Sequence, residues 1–333
     1  SAAMCFPAGP HALKSARGKR EAAIAARMRM WRFALRETGW LLLALIGAGV
    51  LAAIVSTLAV PGATADLHHF VAALGQRCLD FARLEFGFSS ITGTSAVAML
   101  ARGLAPTLVL LVWGAVIAVI VGAPVGIIFA RGPVHRPFAP LIQVVAAMPV
   151  FCVGLALIWF AVNVLHWPAS ARGDAGAALG LVPALLERNA IAVTNAFRIL
   201  AVPALIVGAA GAASLQLALR RAAAEAGEAS YRQGLKLMGL SALEIERVYS
   251  APQIAAGVLA SLGEIVLALI SAAAIAEWVF DWPGDAVLFV KSVALHDWTV
   301  AALVLLLFAA IKLVADFIGA LGAHALAEPD GEA

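Results

Sequence analysis

The chain has 333 residues, of which 63% are hydrophobic and only 13% charged, with a mean hydropathy of +0.95. A soluble globular chain averages roughly 45–50% apolar and about 25% charged residues, so a water-soluble fold around one core is excluded and a bilayer must cover the excess. The net charge of +3 and a pI near 9.0 do not point to nucleic acid here, because basic residues of membrane proteins gather in cytoplasmic loops.

Residues 1–39 read as a basic cytoplasmic arm, within which Met30-Trp31-Arg32-Phe33 could serve as a natural start. A secretory leader is not expected, since the basic stretch is long and no small-residue cleavage site follows the first apolar run. A spanning helix needs about 20 mostly apolar residues to cross ~30 Å of hydrocarbon. Six stretches meet this, at 40–60, 106–130, 141–165, 199–219, 253–276 and 298–321, inside a transmembrane domain of residues 40–325. The second opens on Pro106, as a helix start tolerates the missing N–H. Residues 326–333 form a short tail. The arm and the loops after the second and fourth spans hold fifteen Lys and Arg residues, against seven on the opposite side. That bias places both termini in the cytoplasm. Trp40 then marks an inner boundary, and Trp167, Trp278, Trp282 and Trp298 mark outer ones.

No stretch carries a phosphate-binding loop, since Gly18-Lys19 lacks the upstream glycine, so the chain is not expected to hydrolyse ATP or bind a cofactor. The cysteines (Cys5, Cys78, Cys152) are too scattered for a metal site or a disulfide framework, and the seven histidines do not cluster. No metal or catalytic residue is expected. His68-His69 point in different directions along any regular element.

The segment 220–252 is the most informative. It reads as two short helices broken at Gly239, with Ser241 and Glu244 at capping-box spacing before the second. Such a hairpin is an exposed knob suited to a groove on another protein. In the fifth span Ser261, Glu264, Ala268 and Ser271 fall three or four residues apart, hence on one helical face. A carboxylate at that depth costs ~2.5 kcal/mol or more unless it meets water or protein. The face could line a translocation path, or Glu264 could pair with a polar group of a partner subunit. Gln143 and Asn163 are candidates for interhelical hydrogen bonds, and Lys312 and Asp316 for an i,i+4 pair. Beyond the fifth span, Glu277, Asp281, Trp282, Pro283 and Gly284 build a tight outer turn.

These stretches resemble the inner-membrane permeases of binding-protein-dependent ABC importers. The family's loop signature is EAA, three residues, Gly, nine residues, then I-x-L-P. Gly239 and Pro252 match that spacing, whereas Gln233-Gly234-Leu235 stand at the EAA positions and Tyr249 and Ala251 replace the Ile and Leu. The dipeptide, oligopeptide and nickel branch is similar over most of residues 30–325. Phe86-Gly87-Phe88-Ser89-Ser90, Leu104-Ala105-Pro106-Thr107-Leu108, Gly122-Ala123-Pro124-Val125-Gly126, Met148-Pro149-Val150-Phe151, Glu277-Trp278-Val279-Phe280-Asp281-Trp282-Pro283-Gly284 and His296-Asp297-Trp298 occur in that branch's order. The segment 61–87 is shorter than usual for it.

The resemblance implies an all-α polytopic fold of six spans with a cytoplasmic coupling hairpin, the importer type I permease fold, in a bacterial inner membrane. It implies a non-catalytic subunit that forms part of the pathway for peptides or a related small solute. Tyr231, Gln233, Gly234, Leu235, Gly239, Leu240, Ser241, Tyr249 and Pro252 would contact a cytoplasmic ATPase. The implied partners are a second, homologous permease, two ABC ATPase subunits that bind ATP and magnesium, an extracytoplasmic solute-binding protein and the lipid bilayer. Two other readings stay open: an ion-coupled secondary transporter that uses Glu264, and a non-transporting membrane scaffold.

Overall fold

The computed structural model describes residues 10–57, 67–131, 189–228 and 231–327, with a few isolated positions between 152 and 187. Among them the chain is helical, and the one bridge between extended residues joins Phe88 to Ser95. Five helical stretches are long and apolar enough to cross a membrane: Met30–Thr57, Ala96–Ile128, Ala190–Gly227, Leu262–Val279 and Trp298–Leu326. Apart from isolated positions, the expected third span at 141–165 lies outside the described residues, as does Gln143.

Helix α1 (Pro10–Thr57) runs unbroken through the boundary expected at residue 39. Its 48 residues make a rod of about 70 Å at 1.5 Å per residue. Leu42, Leu43, Ile46 and Leu51 on its flank are exposed, as a lipid-facing surface requires. The amphipathic helix α2 (Leu67–Ala82) lays Leu74, Cys78 and Phe81 against Ala52 and Ala53 of α1.

The next span corrects one expectation. Helix α3 (Ala96–Ile117) starts ten residues before Pro106, which sits in its interior. The loop before α3 folds back on the helix start, with Ala96 N–H donating to Gly87 C=O at 3.1 Å. The proline removes one i→i−4 bond, a loss that membrane helices tolerate where neighbouring groups re-satisfy the backbone. A wide π-type turn, Ala118–Gly122, carries α3 into α4 (Ala123–Arg131).

Helix α5 (Ala190–Glu228) also outruns its expected span, so the first nine residues of the expected loop continue the helix. Its run Arg221-Ala222-Ala223-Ala224-Glu225-Ala226 combines strong helix formers with charges that belong in water. After α6 (Tyr231–Leu237) and the short α7 (Ala242–Glu244), the fifth span is broken at Ser261 into α8 (Ala251–Ala260) and α9 (Leu262–Phe280). Helices α10 (Asp285–Ala294) and α11 (Trp298–Ala327) complete the chain.

Helix α5 is central, with α3 and α9 packed along it. Leu110, Ile206, Phe280 and Trp282 form one buried cluster, and Leu111, Val207, Leu215, Ile265 and Leu269 another. Apolar side chains gain little by leaving lipid, so close van der Waals packing has to hold such a bundle. Small residues permit it. A Cβ on Gly208 would strike Ile117 and the Gly114 carbonyl, and one on Gly319 would strike the carbonyl of Leu259.

Helices α1 and α11 are antiparallel: Phe33 stacks on His324 at 4.0 Å, while Ala52 and Ala53 share a cluster with Ala302. The molecule therefore has a hairpin end, with α6, α7 and the late turns of α11, and a turn end, with α2 and the α9–α10 connection.

Candidate functional site

The hairpin is shaped by its own backbone. Leu240 N–H donates to Leu235 C=O at 3.2 Å and Gly239 N–H to Lys236 C=O at 3.0 Å. This pair of bonds is a Schellman ending, which needs a left-handed residue just past the helix. Gly239 supplies it with φ 88°. Two residues later Ser241 Oγ accepts the Glu244 N–H at 3.3 Å, and Ser241 N–H donates to Glu244 Oε2 at 2.8 Å. The bonds from the Ser241 hydroxyl and amide hold the Glu244 carboxyl below its ordinary range.

A second π-type turn, Ile245–Ser250, runs into α8, whose second residue is Pro252. What was expected to be a separate second short helix is thus the tip of the fifth span. Arg232 fastens the two arms, 2.9 Å from Ser250 Oγ and 3.5 Å from Glu246. Leu237 and Met238 at the tip are 89% and 72% exposed, and Leu243, Val248 and Tyr249 are exposed beside them. Gln233 is exposed, while Gly234, Leu235 and Leu240 are half-buried, and Tyr231 opens α6.

The expected polar face of the fifth span is not one continuous surface. Ser261, with φ −93° and ψ 8°, sits at the break and donates to Gly257 C=O at 3.2 Å. Ser271 donates to Leu267 C=O at 2.9 Å, so both hydroxyls satisfy their own helix. Ala268 is half-buried. Glu264 is exposed and lies 3.8 Å from Arg221 of α5, a partner within the chain that the sequence did not suggest. Lys312 and Asp316 form their i,i+4 pair, and the Asp316 carboxylate covers Gly263. Four charged residues from three helices thus surround the Ser261 break. Asn163 donates to Trp159 C=O one turn back at 2.9 Å rather than to another helix.

At the turn end, α9 closes on Asp281 in the left-handed region (φ 50°), with Trp282 N–H on Glu277 C=O at 2.9 Å and Gly284 N–H on Trp282 C=O at 2.8 Å. Asp281 and Pro283 are exposed, whereas Glu277, Trp282 and Gly284 are buried. Trp282 donates through Nε1 to Pro106 C=O at 3.1 Å, which ties the turn to the middle of α3. Glu277 Oε1 accepts the Thr107 hydroxyl at 2.7 Å, and its Oε2 accepts Val287 N–H at 2.9 Å. Thr107 Oγ1 in turn accepts Asp285 N–H at 2.7 Å. Glu277 therefore belongs to a buried network behind the turn. Nearby, Asp297 at the start of α11 accepts the hydroxyl of Ser89, which pins the loop before α3.

Sequence reasoning passed over Thr107, Asp285 and Arg221 as site residues. The available signal for Asp285 was an acid in an apolar run directly after Trp282-Pro283-Gly284. Thr107 carried no such mark, because a lone threonine in a span usually bonds its own helix.

Residues 118–326 match the family model described as binding-protein-dependent transport system inner membrane component. The chain belongs to that family. In this permease family it is 28% identical over 174 residues to a dipeptide transport system permease protein of Haemophilus influenzae, covering 50% of this chain and 52% of that one. It is 27% identical over 179 residues to a di/tripeptide transport system permease protein of Pseudomonas aeruginosa, covering 52% of this chain and 53% of that one. The chain thus spans about half the length of the curated relatives it matches. The matched family segment contains the hairpin, the Ser261 break and the outer turn, and the chain is a helical, multi-pass inner-membrane transport component.

Proposed function

We propose that the chain lines the translocation pathway of an ATP-driven importer for peptides or a related small solute, and that the Gly239 hairpin couples it to a separate ATPase. The observation that carries this reading is the hairpin itself. It is a rigid, doubly capped turn that holds Leu237 and Met238 in the open at one end of a chain of this family. Apolar side chains fixed on a projecting turn are suited to a groove on another protein. The names of the two relatives support peptides as the solute class.

In this reading both termini and the hairpin face the cytoplasm, where the fifteen basic residues also gather. A second permease completes the pore, two ATPases bind ATP and magnesium, and an extracytoplasmic binding protein delivers the solute at the turn end. Residues 231–252 form the ATPase contact. Glu264 and Ser271 face the path, with Arg221 as the resting partner of Glu264.

The test is co-purification of the chain with its neighbouring ATPase, followed by ATP-dependent peptide uptake in proteoliposomes. Gly239→Pro should abolish both association and uptake, because proline cannot adopt φ 88° and has no N–H for Lys236 C=O. Uptake that proceeds without ATP, or an unchanged ATPase complex in the variant, refutes the reading.

A further inference from the structure

Behind the outer turn lie two buried carboxyl groups with unequal surroundings. Glu277 receives the Thr107 hydroxyl on one oxygen and the Val287 N–H on the other. Asp285, fully buried at the start of α10, receives nothing: neither of its side-chain oxygens has a hydrogen-bond partner. Its backbone N–H is spent on Thr107 Oγ1. The packing leaves no slack, since a Cβ on Gly103 would strike the Asp285 carboxyl and one on Gly284 would strike that of Glu277. An ionised carboxylate without a donor is expensive away from water, and it resolves the conflict by taking up a proton or a cation. A cation needs several further oxygens, and the nearest ones are engaged with Thr107 and Val287.

From this geometry we propose that Asp285 and Glu277 form a proton-binding site that latches the outer ends of α3, α9 and α10. The proton resides on Asp285, where no donor points, and Glu277 is its hydrogen-bond acceptor. With the proton present, the pair carries one negative charge, already met by Thr107 and Val287. Without it, two anions occupy a space built for one, and the α9–α10 connection is driven away from Thr107 and Gly103.

Among the described residues no other charge compensates. Arg102 of α3, next to Gly103, is exposed; Lys291 of α10 lies 3.9 Å from exposed Asp281; His296 is exposed and edge-on to Trp298; Asp297 is held by Ser89. Among the described residues, Glu277 is the one whose charge acts on Asp285. Burial first, then that charge, pushes the Asp285 carboxyl from 3.8 up to about 7. The native state then binds one proton more than the unfolded chain between these values, so stability falls as pH rises through this window and is level above it.

The experiment is infrared difference spectroscopy of the full chain in lipid nanodiscs, titrated from about pH 5 to about pH 9, well above the ordinary aspartate range. The expected result is a carboxylic-acid C=O band that disappears with a midpoint near 7. The band should shift in wild-type chain labelled with ¹³C-aspartate and be missing in Asp285→Asn. The same variant, which mimics the protonated acid, should lose the fall in thermal midpoint that the wild type shows across the window. The labelled wild type tests whether the band belongs to an aspartate even where the variant does not fold. A band unmoved by the label, or no band together with a thermal midpoint that rises on adding sodium or calcium, overturns the proton site.

Discussion

The backbone and capping bonds that shape the Gly239 turn join residues five or fewer apart, Arg232 ties its arms together only 18 positions on, and the apolar side chains it displays are left in the open. The outer turn is the reverse: Thr107 reaches residues 170 and 178 positions away, and the groups it joins are sealed from solvent. A turn built from local bonds can be gripped and moved by a partner without unfolding the bundle. A turn built from distant ones fixes the relative places of α3, α9 and α10. Within one chain, the projecting end is independent of the packing and the buried end is part of it.

Substitutions should expose this difference, and the largest effect belongs to the buried end. Thr107→Val leaves a buried carboxylate oxygen and a buried N–H unpaired, which should destabilise the full chain by roughly 2–5 kcal/mol in thermal unfolding in nanodiscs. Gly239→Ala forces a Cβ into the left-handed region at about 1–2 kcal/mol, but only the hairpin should report it, as faster amide exchange over residues 235–244. An equal effect on the spans would remove the distinction between the two ends. Ser241→Ala should loosen the same segment by about 1 kcal/mol through the lost cap. Because the Glu244 carboxyl is held below its ordinary range, the cap persists above the unfolded value and is lost as pH falls through the depressed one. Hairpin protection should thus drop in acid, and the Ser241→Ala hairpin, which keeps only the amide bond to Glu244, should show a weaker dependence. Leu237→Ser, at a fully open position, should change stability by no more than about 0.5 kcal/mol while weakening capture of the ATPase in pull-downs.

The same division explains what could be read from the amino acids. Gly239, Ser241 and Glu244 announce themselves because their partners are near in sequence, and the spans announce themselves through composition. Pro106 misled because a proline at the edge of an apolar run looks like a start, whereas the helix begins at Ala96, where the loop returns to bond it. The ends of α5 were hidden because a helix need not stop where the bilayer does. The joining of Thr107, Glu277 and Asp285, and of Arg221 to Glu264, depends on which helices become neighbours, and no local pattern encodes that.

The interruption at Ser261 divides the path from hairpin to outer turn into stiff pieces of 10 and 19 residues. The shorter piece is a lever roughly 15 Å long, so a swing of about 20° about Ser261 carries its far end ~5 Å sideways. Gly319 bears directly on the carbonyl of Leu259, two residues from that fulcrum. A pull on the tip would therefore be delivered to α11 as a slide of one backbone over another, with the longer piece and the sealed outer turn staying in place.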